Sequence, residues 1–168
     1  MLLALKWSIP ITSVAMGLAF CSEQVALFLG FDPPPQDLVR LFTDPNVLWA
    51  VKTKYAVVAV VLAPVLEELV FRKGLFKLCV WIGRRIAESK GDGAENETPR
   101  FPMAAALVSG AVFAAVHLHA ATFLPLWFLG VAFAWLYWKS GKIFSSMLCH
   151  FLFNAINLAL CLTIGIDA

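Results

Sequence analysis

Charge is what this sequence has least of. Only 14% of its 168 residues are Asp, Glu, Lys or Arg, and 61% are hydrophobic. A soluble domain runs nearer ~25% charged and ~45–50% apolar. With a mean hydropathy of +0.81, that scarcity excludes a soluble globule and describes an integral membrane protein with several spans. The formal net charge of +2 is too small to imply a nucleic-acid partner. Cysteine is sparse too. Cys21, Cys79, Cys149 and Cys161 lie in or beside apolar runs without CxxC spacing. This excludes a disulfide framework or a zinc knuckle and leaves them as small hydrophobic side chains. No A-x-A-like site follows the apolar runs near the N-terminus, so an uncleaved first span is expected rather than a signal peptide. There is no internal repeat.

What remains is apolar sequence broken at a few places. The first span is expected over Trp7 to Phe31, interrupted by Pro10 and by Glu23-Gln24. Asp32 to Lys54 reads as a polar connection opened by Pro33-Pro34-Pro35, with a short surface helix over Asp37 to Phe42. Span two covers Tyr55 to Leu78, and the glycines and mixed charges of Gly83 to Arg100 read as a flexible loop. Phe101 to Trp138 is too long for one helix, and its natural break is Pro125. It divides into span three, Pro102 to Phe123, and span four, Leu124 to Trp138. Lys139 to Lys142 is a tight turn, and span five runs from Ile143 to Ile164. The expectation is an all-α polytopic transmembrane bundle of about five spans. Residues 1–54 supply the first span and connection, and residues 55–168 the functional core. Lys6, Lys77, Arg84, Arg85, Lys90, Arg100, Lys139 and Lys142 fall on one side, against Arg40, Lys52 and Lys54 on the other. The positive-inside rule then puts the N-terminus and loop 83–100 in the cytoplasm.

Strongly polar side chains within the later spans are few: Glu67, Glu68, Arg72, His117, His119, His150, Asn154 and Asn157. Charge near a bilayer centre is unfavourable by at least ~2.5–3.5 kcal/mol, so such residues face protein or a water-filled cavity. Glu68 and Arg72 are spaced i,i+4 with the acid first, the favourable order for a helical ion pair. Glu67 is turned about 100° away and has no local partner, which makes it a candidate general base or metal ligand. His150 and Asn154 share a helix face, extended by Ser146 and Asn157. Phe113 and His117 share another, and His119 points about 200° from His117. One carboxylate and two imidazoles on three helices can hold a zinc ion or a hydrogen-bonded water. At 1.5 Å per residue, Glu67 lies about 12 residues in from the outer side and His150 about 7 from the cytoplasmic side. His117 lies about 15 residues from the cytoplasmic side, nearer the outer face.

Three hydrolytic signatures of membrane enzymes are missing: H-E-x-x-H, a complete G-x-S-G (Leu107 stands before Val108-Ser109-Gly110), and G-x-G-D. Another pattern is present. Glu67-Glu68 to Arg72, Phe113 to His117 and His150 to Asn154 spell E-E-x-x-x-R, F-x-x-x-H and H-x-x-x-N in order, on three apolar segments. Together with Ala63-Pro64-Val65-Leu66 and the basic turn Lys139 to Lys142, the triple resembles the CPBP (Abi) family of CAAX prenyl proteases and bacteriocin-processing enzymes over about residues 55–162. The departures are Lys73 between Arg72 and Gly74, and room for about five spans where prenyl-protein proteases have about eight.

The resemblance implies an intramembrane endopeptidase with its site between spans two, three and five. Glu67 would activate water, with Glu68 assisting or held by Arg72. His117 and His150 would position that water, or bind Zn2+ with Glu67 if a metal is used. Asn154 would stabilise the oxyanion. The implied partners are a membrane-anchored or C-terminally tagged protein substrate, the lipid bilayer of a bacterial inner membrane, and a second subunit or partner protein that makes up for the missing spans. Two other readings compete: a non-catalytic member serving bacteriocin immunity or scaffolding, and a small ion or proton transporter.

Overall fold

A computed structural model describes residues 2–89 and 101–164, and among these every regular element is helical. The first helix, α1 (Leu2–Phe28), is one uninterrupted run of 27 residues. Neither Pro10 nor Glu23-Gln24 breaks it, contrary to the interruption expected from sequence. It ends at Gly30, whose φ of 77° closes the helix with N–H bonds from Gly30 to Leu27 and from Phe31 to Ala26. Its buried face is Ala4, Ser8, Ile11, Thr12 and Ala15. Small side chains there let α1 lie close against its neighbours, as membrane helices do.

The surface helix α2 (Asp37–Thr43) forms as expected. The connection after it is shorter than expected, because helix resumes at Trp49. From there residues 49–89 form one continuous helical run: α3 (Trp49–Val57), a wide π turn Val58–Leu62, α4 (Ala63–Glu68), a second wide stretch Leu69–Phe76, and α5 (Lys77–Ser89). Lys52 is buried, and its Nζ donates to the Phe42 carbonyl at 2.8 Å, which caps the end of α2 and ties it to the run. Gly83 to Ser89 belong to α5 and are not loop. Their glycine is outweighed by Ile86, Ala87 and Glu88, with an Arg85–Glu88 pair at 3.8 Å. Residues 90–100 of the expected loop lie outside the described residues.

Two helices divide the long apolar stretch, but not at Pro125. The first, α6 (Met103–Ala115), stops after 13 residues. A turn over 116–119 and a short 3-10 turn, Ala120–Thr122, lead into α7 (Phe123–Ser140). Pro125 sits in the first turn of α7, where no intrahelical N–H is required, so it starts a helix instead of breaking one. Leu118 makes the turn with φ of 54°, a left-handed conformation that is strained for a leucine. The last helix, α8 (Ile143–Ile164), has the expected bounds. It is reached through Gly141, whose φ is 67° and whose N–H bonds Tyr137.

Among the described residues three helices are long and apolar enough to cross a membrane: Leu2–Phe28, Ala120–Ser140 and Ile143–Thr163. Their common core joins Ile11 and Ala15 of α1, Leu129, Phe133 and Leu136 of α7, and Cys149 of α8. A second cluster packs Phe76 against Ala105, Ala106 and Ala134, and so seats the helical run 49–89 on α6 and α7. Helices α6 and α7 cross at Gly110 and Gly130. A Cβ built on Gly130 would stand 2.6 Å from Gly110 Cα. Gly130→Ala is therefore expected to destabilise the protein by about 1–3 kcal/mol through overpacking. Gly17→Ala, with nothing within 4 Å of the added carbon, should not. Thermal melts in detergent compare the two, and equal midpoints would show that the crossing tolerates a methyl.

Candidate active site

The short helix α4 lies between the two wide turns and ends on Glu67-Glu68. Arg72 follows inside the second wide stretch, and α8 runs alongside carrying His150. Glu68 and Arg72 are both wholly buried, with Arg72 Nε 3.0 Å from Glu68 Oε2. This is the ion pair expected from the i,i+4 spacing. The approach is off the hydrogen-bond line, and the guanidinium nitrogens find no hydrogen-bond partner among the described residues. Aromatic faces replace them. The guanidinium carbon lies 5.2 Å from the Phe113 ring centre and 5.6 Å from that of Phe133. Cation–π contacts are worth ~0.5–2 kcal/mol, most when desolvated.

His150 is held between the two glutamates. Its Nδ1 donates to Glu68 Oε1 at 3.2 Å, and its Nε2 lies 3.6 Å from Glu67 Oε2. The ring stacks on Phe133 with centroids 4.8 Å apart and meets Phe113 edge-on at 5.9 Å. Exposure divides the carboxylates: the Glu67 side chain is 29% exposed, that of Glu68 0%. Glu68 is thus enclosed between Arg72 and His150, while Glu67 touches the same imidazole and still has access to the surface.

His117 lies beyond the end of α6, in the turn, and is exposed. Its Nδ1 is 2.7 Å from the Phe113 carbonyl. A carbonyl only accepts, so Nδ1 carries the proton and Nε2 keeps a free lone pair. The F-x-x-x-H spacing thus has a physical reading, since Phe113 fixes the imidazole by its carbonyl and by ring contact at 4.9 Å. Among the described residues His117 makes no hydrogen bond to Glu67, Glu68 or His150; Phe113 stands between them. His119 turns elsewhere and donates through Nε2 to the Pro34 carbonyl at 2.8 Å.

Asn154 donates through Nδ2 to the Ala59 carbonyl at 2.8 Å, and Asn157 to Phe153 in its own helix at 2.8 Å. Zinc needs at least three ligand atoms around one point at ~2.0–2.2 Å. Among the described residues no group of three His, Cys, Asp or Glu side chains meets that way. Glu67, His117 and His150 therefore do not fit a zinc set in this arrangement, because His117 is held away by Phe113. Sequence reasoning missed Phe133, which covers both His150 and Arg72. One phenylalanine among several in an apolar helix carries no local signal that sets it apart.

The arrangement can take a proton at Glu67, hold a water by Glu67 and an imidazole, and keep a compensated charge cluster away from lipid. No curated protein and no solved structure matches the chain. A family profile does match residues 49–156, from the start of α3 into α8, and its description is Type II CAAX prenyl endopeptidase Rce1-like. Because that match covers most of the chain and every residue of the E-E-x-x-x-R, F-x-x-x-H and H-x-x-x-N triple, this protein belongs to the Rce1-like family of proteases.

Proposed function

We propose that the protein is an intramembrane endopeptidase acting on a membrane-anchored or C-terminally tagged protein, with Glu67 as the general base. The observation that carries this reading is the placing of both glutamates on the two nitrogens of one buried imidazole, with only Glu67 open to the surface. In the proposed reaction Glu67 takes a proton from water as its oxygen attacks the scissile carbonyl carbon. The second amide N–H of Asn154 donates to the resulting oxyanion. The proton then passes to the departing amine as the C–N bond breaks. His150, held by Glu68, orients Glu67. Arg72 compensates the charge of Glu68 in that anchor.

The topology that suits this chemistry has five spans: α1, the apolar part of the helical run 49–89, α6, α7 and α8. The catalytic core is residues 55–168, with residues 1–54 as a buttress. The side carrying the C-terminal end of α5 faces the cytoplasm of a bacterial inner membrane, and a second subunit or partner closes the substrate chamber. An open groove of about 400 Å³ between residues 56–61 and α8, lined by Ala56, Val60, Val61, Phe151, Ala155 and Leu158 among others, supports a substrate that brings a lipid chain. Comparing the termini of membrane peptides in cells carrying wild-type or Glu67→Gln protein tests the proposal. A set of new termini present only with the wild type is expected. Identical profiles, with full complementation by Glu67→Ala, His117→Ala and His150→Ala, would favour a binding role instead.

A further inference from the structure

Pro64 stands three residues before Glu67, well inside the helical run 49–89. A proline in a helix interior withholds an N–H and crowds the turn before it. The chain absorbs it in the wide turn Val58–Leu62. There the Ala63 N–H passes over Ala59 and bonds the Val58 carbonyl. The next backbone donor, the one that would serve Ala59 in a wide turn, belongs to residue 64 and is absent because that residue is proline. The Ala59 carbonyl is left without a backbone donor, within an apolar segment where an unpaired carbonyl is unfavourable. Asn154 fills the gap, with Nδ2 at 2.8 Å from the Ala59 oxygen. It lies one turn after His150, so one face of α8 both meets the glutamates and repairs the backbone upstream of them.

We infer that Asn154 is a positioning residue whose amide stands in for the N–H that Pro64 lacks, and thereby sets the register in which Glu67 and Glu68 meet His150. A wide turn adds about one residue to the helix and rotates everything after it by about 100°. Relaxation of that turn to ordinary α geometry would carry both carboxylates off the His150 face. The inference deepens the protease reading, since it names what orients that site, but it can be tested without hydrolysis.

The full chain in detergent micelles is compared as wild type, Asn154→Leu, Pro64→Ala and the double variant. Leucine keeps the shape of asparagine without its donor, and alanine returns an N–H at position 64. The readouts are the thermal midpoint and the imidazole 15N resonances of His150. With three histidines in the chain, His150 can be assigned by its loss in His150→Gln. Asn154→Leu in the wild-type background is expected to lower the midpoint by about 4 °C and to move the His150 resonances. On Pro64→Ala the same substitution should shift the midpoint by less than about 1 °C and leave the resonances in place. Equal losses in both backgrounds, or His150 resonances unmoved by Asn154→Leu, would overturn the inference. If the coupling holds in a protein that cleaves nothing, only the protease reading falls; if cleavage is shown and the coupling is absent, only this inference falls.

Discussion

Glu67→Gln is expected to lower kcat for peptide-bond hydrolysis by about 10²–10⁴-fold, the usual contribution of a general base. KM and the thermal midpoint should stay near wild type. Glutamine has the size and outline of glutamate but cannot take a proton from water. The position tolerates the swap because Glu67 is 29% exposed and is not part of the buried Glu68–Arg72 pair. A loss confined to kcat marks an interaction made in the transition state, whereas a loss in KM alone would mark ground-state binding. Initial rates on a peptide found by terminus profiling, with melts on the same samples, separate these outcomes. Undiminished cleavage by Glu67→Gln would remove Glu67 from the chemistry.

The second large effect is on stability. Arg72→Met leaves Glu68 as a carboxylate with 0% exposure beside His150 and Ser146, without its guanidinium. Removing one partner of a buried ion pair destabilises by about 3–5 kcal/mol, because the remaining charge is desolvated and uncompensated. Replacing both, as Glu68→Leu with Arg72→Met, takes the charges out together and is expected to be far milder, since such exchanges are often close to neutral. The remaining deficit should come from His150, whose Nδ1 loses its acceptor. Melts of the two single variants and the double form a cycle that measures this. A double variant as unstable as Arg72→Met would show that aromatic packing on Phe113 and Phe133, rather than charge compensation, holds Arg72 in place.

Residues whose partners are local were legible from sequence. Glu68 and Arg72 pair across one helical turn, and the Gly141 turn and α8 fall where the pattern put them. The errors arose where a local sign has two meanings. Pro125 can break a helix or begin one, and only the packed chain selects between them; the actual break is made by the left-handed Leu118, which no turn signal marks. Gly83 suggested loop, yet its neighbours carry the helix on to Ser89. The depth argument put His117 nearer the outer face than the other polar residues. The structure has it past the end of α6, with the Phe113 ring between it and His150.

By itself the sequence determined that this is a membrane protein of apolar helices, that its few buried charges belong together, and which motif family they spell. Composition decides the first of these, because hydrocarbon admits little else. Spacing decides the others, because i and i+4 share a helix face whatever the fold. Only the tertiary structure decided that His150 reaches both glutamates, that Phe133 rather than a polar group covers Arg72, and that the Asn154 amide goes to the backbone at Ala59. Each of these joins residues far apart in the chain, and their meeting depends on how helices cross, rotate and absorb a proline.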